Sequence, residues 1–181
     1  MNVINTKIPE VLVFEPIVMS DERGYFLETF RNSIFQELGI GYSFVQDNQS
    51  RSTKGTLRGL HYQHEFPQGK LVRVIAGEVF DVAVDLRKSS TTFGEWVGEY
   101  LTADNHRQLW VPPGFAHGFY VLSDLVDLCY KCTDYFHPED DHNLLWNDPD
   151  VAIDWPLLAS KPLLSEKDAS AKRLGDIPLY K

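Results

Sequence analysis

The chain has 181 residues, 43% hydrophobic and 13% aromatic, with a formal net charge of −9. That length buries a substantial core and fits one domain over 1–181, whereas the acidic balance excludes a broad grip on nucleic acid or anionic lipid, which draws on surplus Lys and Arg. An anionic ligand would therefore have to be met by a local basic pocket. The opening residues lack the charged-then-apolar form of a signal peptide, and no apolar run approaches the roughly 20 residues of a membrane span. A cytoplasmic protein without membrane contact is the expectation.

From Val11 to about Phe136 the chain reads as many short strands. In order they are VLVFEPIVM, YFLETF, YSFVQDN, TLRGLHYQ, KLVRVIAG, EVFDVAVDLR, EWVGEYLT, RQLWVPP, HGFYVLS and LVDLCYKCTDYF. The turn signals DERG, STKG, FPQG, RKSSTTFG and PPG separate them at the spacing of a β-sandwich or barrel. EVFDVAVDL alternates less cleanly than a one-sided strand and predicts burial on both faces. One helix interrupts, in FRNSIFQELGIG, with Asn32 or Ser33 as N-cap, Ile34, Phe35 and Leu38 at helical spacing and Gly39 as terminator. The Pro-rich stretch from about 140 to 181 reads as a tail wrapped on the barrel, with a short helix beginning at Ser165. No internal repeat, low-complexity tract or Gly/Ser linker marks a second domain.

Cys129 and Cys132 have CxxC spacing, but they fall in a run of strand formers. Strand positions i and i+3 point to opposite faces, so the thiols diverge, and no second pair completes four zinc ligands. A metal or redox role is set aside.

Two segments fit a cupin-like jelly roll: RGLHYQ at 58–63, and PPGFAHG at 112–118, which holds a P-x-G-x-x-H pattern. Metal-binding cupins, by resemblance, use His-x-His and a downstream Glu in the first motif. Here Gln63 stands two residues after His61, and an amide is a poor metal ligand. A metal-dependent cupin enzyme thus falls to second place, and neither metal nor cofactor is expected. A free imidazole is the commonest general acid or base near neutrality, although a lone strand histidine is more often simply hydrogen-bonded.

RGLHYQ, DERGYFLETF, FVQDNQSRS, QGKLVRVIAGEVFDVAVDLR, RQLWVPPGFAHGF and LLWNDP together resemble the dTDP-4-dehydrorhamnose 3,5-epimerase family, in its order and spacing, from about Ile8 to Asp168. The resemblance implies a mainly β, cofactor-free cupin-type jelly roll that forms homodimers and acts in dTDP-L-rhamnose biosynthesis. Carbons 3 and 5 of the family's substrate flank a C4 ketone, so epimerisation needs a base, a cation for the enolate and an acid on the opposite ring face. By match to the family, His61 is the base and Asp168 the carboxylate that fixes its tautomer. Lys70 is the cation and Tyr130 the proton donor.

The same resemblance implies ligand contacts from Arg23, Phe26, Glu28, Gln46, Asp47, Asn48, Arg58, Lys70, His117, Asp141 and Lys167. Tyr135 would be the platform for the thymine ring. The family shows Glu and Gly where Asp141 and Asn143 stand.

Structural readings compete with each role. Ser165-x-x-Asp168 is a capping box, and both roles hold only if the helix start presents Asp168 to the barrel mouth. Lys70 also reads as a solvated edge lysine, and Tyr130 as a core tyrosine. Arg58 and His61 point to opposite faces of a regular strand, so both reach one ligand only if Gly59 bulges the strand or Arg58 serves elsewhere, across a dimer. Rival functions are a single-site epimerase acting at C3 or C5 alone, a metal-dependent cupin enzyme and a non-catalytic sugar-nucleotide module.

Overall fold

A computed structural model describes residues 1–181. The strands run β1 (Asn2–Asn5), β2 (Leu12–Glu15), β3 (Val18–Asp21), β4 (Gly24–Leu27), then helix α1 (Asn32–Glu37). They continue as β5 (Gln46–Thr53), β6 (Leu57–Gln63), β7 (Lys70–Ala76), β8 (Glu78–Asp85), β9 (Trp96–Thr102), β10 (Gln108–Val111), β11 (Phe115–Val121), β12 (Leu125–Cys132) and β13 (Asp141–Asn143). Helix α2 spans Glu166–Ala169.

Two antiparallel sheets face each other in a mainly β, cupin-like jelly roll. One has six strands in the order β1-β2-β10-β7-β12-β5, the other five in the order β13-β6-β11-β8-β9. Alternating residues of both fill the space between them: Val72, Val74, Leu109, Val111 and Leu128 from the first, Val79, Ala83, Val97, Phe115 and Phe119 from the second. Each of these valines, leucines and phenylalanines contributes about 1.5–3 kcal/mol when fully withdrawn from water.

The outer faces are covered too. Leu57, Leu60, Tyr62, Phe80, Val82 and Val84 of the five-stranded sheet lie under Val151, Trp155, Leu174 and Ile177 of the C-terminal tail. Phe35 of α1 packs with Phe14, Leu71 and Trp110 on the outside of the six-stranded sheet. β8 is accordingly buried along nearly its whole length, as its weak alternation predicts.

The boundaries differ from the sequence expectation in definable places. VLVFEPIVM is two strands, because Pro16, without an N–H, cannot continue a ladder, and β3 pairs only with β4 in a hairpin of its own. YSFVQDN becomes strand only at Gln46, since Phe44 instead packs beside Phe35. The helix starts one residue early: Arg31 holds the N-cap position and no side chain caps it. The tail is largely irregular, with α2 a single turn and two short 3-10 turns at Pro138–Asp140 and Leu174–Asp176. β1 and β13 add strands beyond the predicted set. No helix is long and apolar enough to cross a membrane.

Candidate active site

The site grows from a fault in β6. Opposite β11, His61 pairs with His117 and Arg58 with Phe119, so Gly59 and Leu60 face the single residue Gly118. That extra residue is a β-bulge. Leu57 and Leu60 both turn to the outer cluster, and the inner face of the strand therefore carries both Arg58 and His61. Gly59 absorbs the distortion at φ +127°, a region open to glycine and strained for other residues.

His61 Nε2 lies 2.6 Å from Asp168 Oδ1, with the imidazole 34% exposed and the carboxylate side chain 4% exposed. An ionised Asp168 accepts from Nε2–H, which leaves Nδ1 as the ring nitrogen free to take a proton. Asp168 arrives at the third position of α2, whose N-cap Ser165 Oγ accepts from the Asp168 backbone N–H at 3.1 Å. The capping reading and the dyad geometry therefore hold together. Burial works to raise the Asp168 carboxyl, but the His61 hydrogen bond and charge, Ser165 and the Gly59 amide outweigh it and hold the group below the usual carboxylate range. Asn143 Nδ2 also donates to Asp168 Oδ1, at 3.1 Å.

Lys70, at the head of β7, is buried, with Nζ 3.5 Å from the His61 carbonyl. Burial lowers its proton affinity, partly offset by Cys132, Asp141 and Asp81. Tyr130 comes from β12 in the opposing sheet, and burial, with help from Cys132, pushes its phenol up, so it stays protonated at neutral pH. His61 and Tyr130 thus belong to opposite walls of one cleft of about 270 Å³, lined also by Gln46, Asn48, Lys70, Asp141 and Lys167. Asp141 and Lys167 are ion-paired there.

The other predicted contacts lie off this cleft. Asp47 is on the outer face of the six-stranded sheet, paired with Lys131 at 3.0 Å, because it alternates with Gln46 and Asn48, which face inward. Arg23 and Phe26 belong to the β3–β4 hairpin and Glu28 to the segment after it; Arg23 pairs with Asp21, and Glu28 with Arg31 at 2.8 Å. Arg58 donates to Ser52 Oγ at 2.9 Å and to the Arg51 carbonyl at 3.3 Å. Its charge reaches the Tyr130 phenol. His117 is buried, with Nε2 at 2.9 and 3.0 Å from the two oxygens of Asp81. Tyr135 is exposed at the rim, and Gln63 Nε2 donates to its carbonyl at 3.1 Å while His137 N donates to Gln63 Oε1 at 2.8 Å. Cys129 faces outward with Asp47 and Cys132 inward, so the two thiols do diverge.

Sequence reasoning missed Asp81, Gln63 and Asn143. For Asp81 a signal existed: a carboxylate amid a doubly buried strand demands a partner. Asn143 gives none, since it lies on a three-residue polar strand.

A cupin-type jelly roll that sets a carboxylate-paired histidine opposite a protonated tyrosine, with a buried lysine between the sheets, is the frame of an enzyme that moves protons on a bound ligand. The family model described as dTDP-4-dehydrorhamnose 3,5-epimerase matches residues 5–176, and the chain belongs to that family. It is 57% identical over 179 residues to the dTDP-4-dehydrorhamnose 3,5-epimerase of Escherichia coli strain K12, covering 98% of this chain and 96% of that one. To the protein of the same name from Methanothermobacter thermautotrophicus it is 55% identical over 178 residues, covering 98% and 96%. The crystal structure of dTDP-6-deoxy-D-glucose-3,5-epimerase from Legionella pneumophila Philadelphia 1, in complex with dTDP-4-keto-L-rhamnose, superposes with a TM-score of 0.96 at 56% identity, covering 99% and 97%.

Proposed function

We propose that this chain, as one domain over 1–181, epimerises C3 and C5 of dTDP-4-dehydro-6-deoxy-D-glucose in dTDP-L-rhamnose biosynthesis, using neither metal nor cofactor. The observation that carries this reading is the placing of the His61–Asp168 pair and Tyr130 on opposite walls of one cleft. The family relatives agree in name and the Legionella neighbour in its bound ligand.

In each half-reaction the C–H bond next to the C4 ketone breaks and its proton goes to His61 Nδ1. The electron pair moves to O4 as an enolate, whose charge the Lys70 ammonium stabilises. The Tyr130 hydroxyl then protonates the carbon from the opposite face; the tyrosinate regains a proton from solvent and His61 releases its own to solvent before the next half-reaction. Asp168 holds the imidazolium meanwhile. Lys167 and Arg58 supply positive charge for the diphosphate, with Gln46, Asn48 and Asp141 as polar contacts and Tyr135 at the rim for the base.

Arg23, Phe26 and Glu28 serve a neighbouring subunit's cleft in this reading, within a homodimer. Its support is the β3–β4 hairpin, which leaves Met19, Tyr25 and Phe26 56–65% exposed, an apolar surface that a second copy would cover. A nucleotide-sugar substrate places the work in the cytoplasm.

The test is incubation of the chelator-treated protein with the keto-sugar in D₂O, with NMR reading of C3 and C5. Label and inversion at both carbons support the reading. Label at one carbon means a single-site epimerase, and binding without label means a sugar-nucleotide module.

A further inference from the structure

We infer that Asn143 is a positioning residue of the His61–Asp168 pair, which weakens the hold of Asp168 on a protonated His61 by occupying the carboxylate oxygen that His61 uses. The inference rests on the reading of His61 as the base. β13 runs antiparallel to β6 with Asn143 directly opposite His61, so the base lies between Asn143 on one side and His117 on the other. The carboxamide turns to Asp168, not to the ring: Nδ2 is 3.1 Å from Oδ1, the same oxygen that His61 Nε2 meets at 2.6 Å.

The other end of the amide is informative. Asn143 Oδ1 is buried and has no hydrogen-bond partner. A buried acceptor left unmade is costly, and nothing on that side selects its orientation. The carboxylate alone does so, because the turned-over amide would set oxygen against oxygen. Asn143 is thus held in place to donate to ionised Asp168.

Two N–H groups on one oxygen share its lone pairs, and each bond is weaker than it would be alone. The positive end of the amide dipole also stands beside the imidazole. Both effects disfavour the imidazolium relative to neutral His61. The remaining charged or titratable groups around the pair are Arg58 on β6, Lys167 on α2, Lys70 on β7, Tyr130 and Cys132 on β12, Asp141 on β13, and His117 with Asp81. None of them is substituted when only residue 143 is changed.

The experiment compares the full chain with Asn143→Ala, which removes the donor, and Asn143→Asp, which keeps the shape and replaces the donor by a charge. The His61 imidazole is titrated by ¹⁵N NMR, and the acid limb of kcat/KM is measured on the keto-sugar. The NMR midpoint is expected to rise by about 0.5–1 pH unit in Asn143→Ala and further in Asn143→Asp, with the acid limb following. If one variant does not fold, the other decides alone. An unmoved midpoint in a folded variant overturns the inference. A midpoint that rises while the acid limb stays supports the role of Asn143 and removes His61 as the base.

Discussion

Gly59 and Gly118 cross backbone to backbone at the bulge in β6: a β-carbon on Gly59 would stand 2.5 Å from Gly118 Cα, and one on Gly118 would stand 2.7 Å from the Arg58 carbonyl. Neither neighbour can yield, since both are main chain. Gly59→Ala is expected to destabilise the fold by about 1–3 kcal/mol through overpacking, with strain at positive φ adding to it. Activity should fall further than the unfolded fraction explains, because the bulge is what turns Arg58 and His61 to one face. Urea unfolding with wild-type midpoint and slope would contradict this account of the crossing.

His61→Ala should lower kcat/KM by about 10²–10⁴-fold while circular dichroism and the thermal midpoint report a folded protein. Near-full activity would remove His61 from the mechanism.

Asp168→Asn should also cost activity, since an amide no longer fixes the tautomer, although the Ser165 cap, which uses the backbone N–H, survives. The same variant has a signature in acid. The folded-state value of Asp168 lies below its unfolded value near 3.8, so its contribution to stability is present above that value and is lost as pH falls through the folded one. Urea midpoints measured from about pH 5 down to pH 3 should therefore fall more steeply for the wild type than for Asp168→Asn. Parallel curves would mean that the carboxylate contributes nothing to folding.

Lys70 is predicted to cost stability for the sake of function. Burial holds its proton affinity below the ordinary value of 10.5, so a charge kept on Lys70 in the fold works against folding. That cost fades as pH rises toward 10.5. Lys70→Met should melt at or above the wild-type temperature at pH 7, with kcat reduced by about 10²-fold or more. A variant that melts well below wild type would show the ammonium to be a structural member instead.

Tyr130→Phe separates abstraction from inversion. With His61 intact, deuterium from D₂O should still exchange into the substrate from the His61 side, while inverted product falls by about 10²-fold or more. Unchanged inversion would assign the proton donor elsewhere.

Most strands from TLRGLHYQ to LVDLCYKC were legible, because alternation and Gly or Pro turns are local properties of the chain. His61, Lys70, Tyr130 and Asp168 were legible only as a joint pattern, since each alone reads as an ordinary strand or cap residue. The bulge that unites Arg58 with His61 had a local sign in Gly59, but its direction depends on Gly118 in another strand. The Arg51–Asp127 and Lys131–Asp47 pairs show why polar residues misled: Asp47 has the right chemistry for the cleft but, one residue out of phase, meets Lys131 on the opposite face. β13, a DHN triplet, carries no alternation at all. Its partner strand and the tail define it.

Asp168 stands 107 residues after His61, on a single helical turn too short to hold together by itself. Bridges from Leu163 to Thr56 and from Lys172 to Leu144 fasten the tail on either side of that turn. The His61–Asp168 pair therefore exists only while the tail is fastened to the body of the fold. Loosening of the tail alone would leave the imidazole without its carboxylate, even with both sheets intact.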